Sequence, residues 1–277
     1  MLFLLSPAKS LDFSPAPEGA SASRPRFPKE TAELVEVARG LTVADLRRLM
    51  DISEDLAKLN HARFRAFGRR GATKLQAAFA FAGDVYDGLD ARSLDPAGLD
   101  WAQQHLRILS GLYGVLRPLD RIEAHRLEMG TRLRTPHGIG LYNYWGHKPA
   151  GLLKGDLRGH VERTVVNLAS HEYFHVVDRK VLGAPVVNVR FLEEKDGEAR
   201  IVSFFAKRAR GSMARFAVDR RIERAEDLKG FDYGGYRYSV AESSDDEWTF
   251  ARPQPEGVTP RAGAAKAVNG SANLESV

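Results

Sequence analysis

Residues 162–194 read ERTVVNLASHEYFHVVDRKVLGAPVVNVRFLEE, and the fold turns on whether their middle is one long helix or a short link between two strands. His171, Glu172 and His175 form H-E-x-x-H, the pattern that zinc peptidases carry on one helix face with a third ligand closing the site. The flanks argue against such a helix. TVVN before the motif and PVVNV after it are rich in β-branched residues, which favour strands. Gly183 and Pro185 stop any helix soon after His175, leaving about two or three turns. Glu193 and Glu194 follow a strand, so neither is placed as a third ligand. The stretch reads as strand, short helix, strand. Two histidines on a short helix are then the favoured reading over a zinc peptidase, and neither a metal site nor a cofactor is expected.

Working outward, LFLL (2–5) reads as a buried first strand, and SPAKSLDFSPAPEG (6–19) as a loop whose three prolines forbid continuous helix. Residues 29–67 repeat apolar positions at helical spacing and read as three helices, with Thr42 and Ser53 as start signals. DWAQQHLRIL, from Asp100, reads as a further helix running into the glycine pair of SGLYGVLRPLD. A turn at Asp196 and Gly197 joins strands. KRARGSMARFAVDRRI (207–222) reads as a basic amphipathic helix turning Met213, Phe216, Ala217 and Ile222 to a sheet, and residues 233–252 hold two last strands. The expected class is α+β: a central mostly antiparallel or mixed sheet wrapped by helices, in a single domain over residues 1–252. Residues 253–277 hold no aromatic residue and read as a disordered tail.

Of the 277 residues, 43% are hydrophobic and 28% charged, and no apolar run is long enough to span a bilayer. The first five residues carry no basic region, which fits a strand better than a signal peptide, so a cytoplasmic protein without a membrane partner is expected. With no cysteine, disulfides, thiolate metal sites and cysteine nucleophiles are excluded. The net charge is +5 and the pI about 9.4. Between Arg200 and Arg224 eight basic residues stand against two acidic ones, a local excess suited to an anionic partner.

Two further motifs carry chemistry. Ser6 and Lys9 match the S-x-x-K of serine acyl-transfer enzymes, but Pro7 follows a strand where that motif opens a helix, and its companion elements are missing. Gly111 and Gly114, set between HLRIL and RPLDRIEAHR, resemble a helix-hairpin-helix, in which turn amides hold a DNA phosphate. The match is imperfect, because a second helix starting at Pro118 makes the hairpin longer than standard, and an equal reading is that Gly111 and Gly114 merely allow a turn while Tyr113 packs into the core. No P-loop or dinucleotide glycine pattern is present.

Taken together, LLSPAKSLDF, GDVYDGL, QHLRILSGLYGVLRPLD, RLEMG, NLAS, EYF and AKRARGSMARF resemble the YaaA family of bacterial peroxide-stress-resistance proteins, over residues 1 to about 252. The resemblance implies a cytosolic protein induced by hydrogen peroxide that lowers unincorporated iron and limits hydroxyl-radical damage. It also implies DNA binding through a helix-hairpin-helix-like element, here LRILSGLYGVLRPLD, in a central sheet wrapped by helices and loops. Asn167, Ser170 and Glu172 match the family's N-L-A-S-x-E-Y-F, whereas His171 and His175 fall on variable positions.

The expected function is thus shape-directed DNA binding in peroxide defence. Arg107, Arg117 and Arg121, with the backbone at Gly111 to Gly114, would contact phosphates, Tyr113 would stack on an exposed base, and Lys207, Arg208, Arg210 and Arg215 would extend the basic surface. A rival from another class is an enzyme holding a nucleotide-like anion among Ser6, Lys9, Asn167, Ser170, Glu172, Lys207 and Arg210. A third, direct iron sequestration, requires a cluster of His, Asp and Glu.

Overall fold

Runs such as LFLL, LRILS and VVNVRFL have no polar alternation, which marks strands buried on both faces, and they form the middle of one sheet. The computed structural model describes residues 1–255. Its main sheet has eight strands: β1 Leu2–Leu5, β2 Leu106–Ser110, β3 Gly114–Leu116, β4 Val165–Asn167, β5 Val186–Lys195, β6 Glu198–Arg200, β7 Arg237–Tyr238 and β8 Glu247–Pro253. The order is β7-β8-β5-β4-β1-β2-β3, with β6 pairing off β5.

The first strand made is therefore central. Phe3 and Leu5 lie opposite Leu106 and Ile108 of β2, while Leu2 and Leu4 lie opposite Val165 and Asn167 of β4. β2, β1, β4, β5 and β8 run parallel, and β3, β6 and β7 join them antiparallel. The sheet is mixed, as expected, with a parallel centre.

The decisive stretch folds as read: β4, a single turn at His171–Phe174, a second at Arg179–Leu182, then β5. The three early helices are α1 Pro28–Arg39, α2 Val43–Met50 and α3 Glu54–Ala66. Thr42 and Asp45 close a reciprocal capping box on α2, and Ser53 Oγ accepts from Leu56 N-H at the start of α3. α4 Asp84–Leu89, α5 Pro96–His105, α6 Lys148–Leu157 and α7 Ser203–Arg220 complete the flanking helices used below.

α4 and α7 touch backbone to backbone. A Cβ on Gly211 would lie 1.8 Å from the Val85 carbonyl oxygen, and one on Gly88 would lie 2.1 Å from that of Arg208. Met213, Phe216, Ala217 and Ile222 are buried, as the apolar stripe predicted.

Three expectations need correction. The helix read from Asp100 to Leu109 is α5, capped earlier by Asp95, and it ends at His105. Leu106–Ser110 are fully enclosed beside β1 and are strand instead. Asp196 and Gly197, at φ 54° and 81°, form the expected turn, but β6 stops at Arg200 and Ser203–Ala206 opens α7. The proposed tail begins inside β8, which ends at Pro253, and Gln254 N-H donates to Glu194 O; its remainder lies outside the described residues. Among the described residues no helix is long and apolar enough to cross a membrane.

Candidate functional site

Parallel strands bring their carboxyl ends to one rim, where α/β sheets place functional groups. Here β1 delivers Ser6, and β4 delivers Asn167 and then Ser170. Ser170 N-H donates to Ser6 Oγ at 2.9 Å, and the two hydroxyl oxygens are 3.3 Å apart. The buried Tyr86 hydroxyl donates to Ser6 O at 3.1 Å, and burial pushes that phenol's pKa up. Asn167 Nδ2 donates to Asn188 Oδ1 across β4 and β5 at 3.0 Å, and Asn167 Oδ1 accepts from Ala169 N-H.

The segment RLEMG crosses this rim. Glu128 accepts from Arg126 at 2.7 Å and pairs with Lys9 at 3.4 Å. Glu172 Oε1 accepts from Gly130 N-H at 2.9 Å, and Tyr142 hydroxyl donates to Glu172 O at 2.8 Å. Burial first, then Glu172 and Glu128, push the Tyr173 phenol up. The structure thus brings Ser6, Asn167, Ser170, Lys9 and Glu172 to one rim. Lys9 is turned to Glu128, so no lysine–serine pair is assembled. Lys207, on α7, is exposed and makes no hydrogen bond or ion pair with these residues among the described ones. Arg210 Nε is buried without a partner among them.

The H-E-x-x-H spans a single turn, with the His171 and His175 rings 6.0 Å apart and His175 edge-on to Tyr142 at 4.7 Å. Among the described residues no three His, Asp or Glu side chains form a group able to hold a metal ion.

The glycine pair is not a helix-hairpin-helix. β2 and β3 form a β-hairpin there, with Ser110 opposite Gly114, because both flanks are apolar and enclosed. Its turn is inaccessible. Trp145 Nε1 donates to Gly111 O at 2.9 Å, and a Cβ on Gly111 would lie 2.2 Å from Leu127 O. Gly114 adopts φ +70°, against the Trp145 ring. Tyr113 is buried, its hydroxyl accepts from Glu123 N-H, and what remains exposed of it lines the cavity that also holds Arg121.

The arginines divide. Arg107 is buried and donates to Asp156 at 2.7 Å. Arg117 is paired with the fully buried Asp120 at 2.9 Å, and Arg215 with Asp219 at 2.8 Å. Arg121, Lys207 and Arg208 are exposed.

Arg121 has company that sequence reading missed. It lines a cavity of about 750 Å³ together with Arg24, Arg39, Lys74 and Phe67. Arg39 donates to the carbonyls of Phe64 and Phe67, fixing the end of α3 to α1. From Lys58 to Gly83 the sequence holds six Lys and Arg and no Asp or Glu, and Arg65, Arg69 and Arg70 are exposed beside this cavity's Phe67 and Gly68. That run was readable; its acid-free character is a stronger signal than the mixed run after Arg200.

A mixed sheet with a parallel centre, flanked by helices, with a hydroxyl and amide rim and a separate arginine-lined cavity, defines a mixed α/β protein. The chain belongs to the family described as peroxide stress protein YaaA, whose model matches residues 1–242. A UPF0246 protein of Phenylobacterium zucineum is 60% identical over 255 residues, covering 92% of this chain and 96% of the relative. One from Caulobacter vibrioides is 54% identical over 255 residues, covering 92% and 100%.

Proposed function

We propose that this peroxide stress protein binds DNA through the arginine-lined cavity at the end of α3 and not through the glycine hairpin. The observation that carries the reading is the grouping of Arg24, Arg39, Lys74 and Arg121 around about 750 Å³, beside a stretch of six cations free of acids. Two carboxylates, Glu36 and Glu123, also line it, and they pair with Arg39 and Lys74. Arg24, Arg121 and the neighbouring Arg65, Arg69 and Arg70 then supply the phosphate contacts, with Lys207 and Arg208 as a second patch. Such contacts position without reading sequence, so binding follows shape and falls with salt. Lowering of unincorporated iron, implied by the family resemblance, is the physiological half of the proposal.

The test is fluorescence anisotropy with labelled duplex, single strand and four-way junction across a salt series. An Arg70→Ala/Arg121→Ala variant is expected to reduce the log–log salt slope by about 2. An unchanged slope, or no binding at moderate salt, would remove this surface from the proposal. Chelatable iron, read by electron paramagnetic resonance in peroxide-treated cells with and without the gene, tests the other half.

A second reading rests on the Ser6 and Ser170 contact at the carboxyl ends of adjacent parallel strands. There the rim holds a nucleotide-like anion for catalysis, with Lys9, Asn167 and Glu172 around it. It predicts that Ser6→Ala keeps fold and DNA affinity yet fails to restore peroxide resistance to cells lacking the gene. Full restoration would count against it.

A further inference from the structure

The cavity at the end of α3 is not arginine throughout. Carbon surfaces of Pro25, Pro28, Ala32 and Val35 line it, together with Phe67 and the residual surface of Tyr113. The two rings are 6.2 Å apart and inclined at 41°. Tyr113 is only 4% exposed, so the aromatic surface open to the cavity comes mainly from Phe67, which is half-buried.

Most polar groups of the lining are already committed. Thr31 Oγ1 donates to Leu112 O at 3.2 Å, and Ser23 Oγ donates to Asp120 at 2.6 Å. Glu123 accepts from Gly68 N-H at 2.8 Å and faces Lys74 at 3.3 Å. Glu36 is taken by Arg39, whose other donors hold the carbonyls of Phe64 and Phe67. Arg24 and Arg121 are the exceptions. Both are exposed, and neither guanidinium makes a hydrogen bond or ion pair among the described residues.

Carbon walls with a phenyl ring suit a flat, weakly hydrated ring system, and open guanidinium groups suit an anionic oxygen. A nucleotide joins the two. Its base would be held by stacking and burial without being read, because the lining side chains have no spare group to match a base edge. The volume, about 750 Å³, lies within the range of sites for such ligands. Beyond Gly68 the cations continue outside the cavity as Arg69 and Arg70, both exposed, where the further phosphates of a strand have partners and a lone nucleotide has none. A base inside a paired stack enters only after unpairing, so an unpaired base enters at least cost.

We propose that the cavity receives one unpaired base of a DNA strand against Phe67, with the adjoining phosphates on Arg24 and Arg121. The inference rests on the DNA-binding reading above and adds to it which DNA is preferred.

Fluorescence anisotropy compares a fully paired duplex, the same duplex with one extra thymidine, and the same duplex with an abasic nucleotide in place of that thymidine. The thymidine form is expected to bind about tenfold more tightly than both others, the size of one stacking contact. That ratio should hold as salt rises and all three affinities fall, because burying a base releases no counterions. Binding should also protect the extra thymine from permanganate, which oxidises the 5,6 double bond of an unstacked thymine. Phe67→Ala should bring the thymidine form down to the affinity of the paired duplex and Phe67→Tyr should keep the difference, both with the near-ultraviolet dichroism of a folded chain. Ala32→Trp, which fills the cavity from an exposed position, should also erase the difference, so the result does not hang on the folding of one variant. Thymidine and abasic forms bound alike, or a thymine still oxidised in the complex, would overturn the inference while paired-duplex binding kept the DNA reading. No binding to any of the three would overturn both. Saturation by free thymidine monophosphate, with no preference among the duplexes, would give the cavity to a free nucleotide and overturn the strand proposal.

Discussion

Arg117 and Arg121 stand four residues apart in surroundings that give them opposite roles. Arg117 covers Asp120, a carboxylate with no exposed surface that also accepts from Ser23. Removing the guanidinium strands a buried charge, so Arg117→Ala should cost about 3 kcal/mol in equilibrium denaturation and leave the salt slope of DNA binding unchanged. Arg121→Ala should do the reverse: an unaltered midpoint and a slope reduced by about 1. The sequence displayed both charges but not their burial, because a carboxylate three residues ahead looks the same whether solvent or core surrounds it. His125 is a further case. Buried against Phe81 and Tyr113, it is lowered from 6.5 to about 4 by desolvation. The unfolded chain therefore binds more protons than the folded one between those values, so stability is complete above pH 6.5 and is lost as pH falls towards 4. Its share between pH 7 and pH 5 is about 2 kcal/mol, and His125→Gln should flatten the pH dependence of the denaturation midpoint by that share.

At the scale of elements, helices were easier to read than the strand that followed one of them. α1, α2 and α3 carry a 3.6-residue repeat and side-chain caps, both local properties. LRILS is apolar throughout, and a short apolar run has no period that separates buried strand from helix. What decided it was β1, more than a hundred residues earlier. The same remoteness hid the α4 and α7 contact: nothing near Gly211 announces Val85. Gly211→Ala must push two backbones apart, since its new methyl would lie 1.8 Å from a carbonyl oxygen. We expect a loss of about 3 kcal/mol, read as a lowered thermal midpoint, with α7 substitutions on its exposed face, such as Lys207→Ala, neutral by comparison.

For the whole molecule, the order β7-β8-β5-β4-β1-β2-β3 threads the oldest strand into the middle of the sheet. The candidate rim was legible from sequence to the extent that Ser6, Asn167 and Ser170 follow strands; that they meet depends on β1 and β4 being neighbours, which no local pattern encodes. The arginine-lined cavity needed still more, because it joins segments from distant parts of the chain.

Synthesis on the ribosome gives this threading a cost in time. Leu2–Leu5 is wholly apolar, yet its partners at residues 106–110 and 165–167 follow only after about 5 to 30 s of elongation. Until then the strand has nothing of its own sheet to pair with. Ribosome-bound chains stalled before Val165 should remain protease-sensitive at their amino terminus, and chains stalled well beyond Val189 should protect it. The interval in which Leu2–Leu5 has neither β2 nor β4 beside it is therefore the one in which a new chain is most open to aggregation and proteolysis.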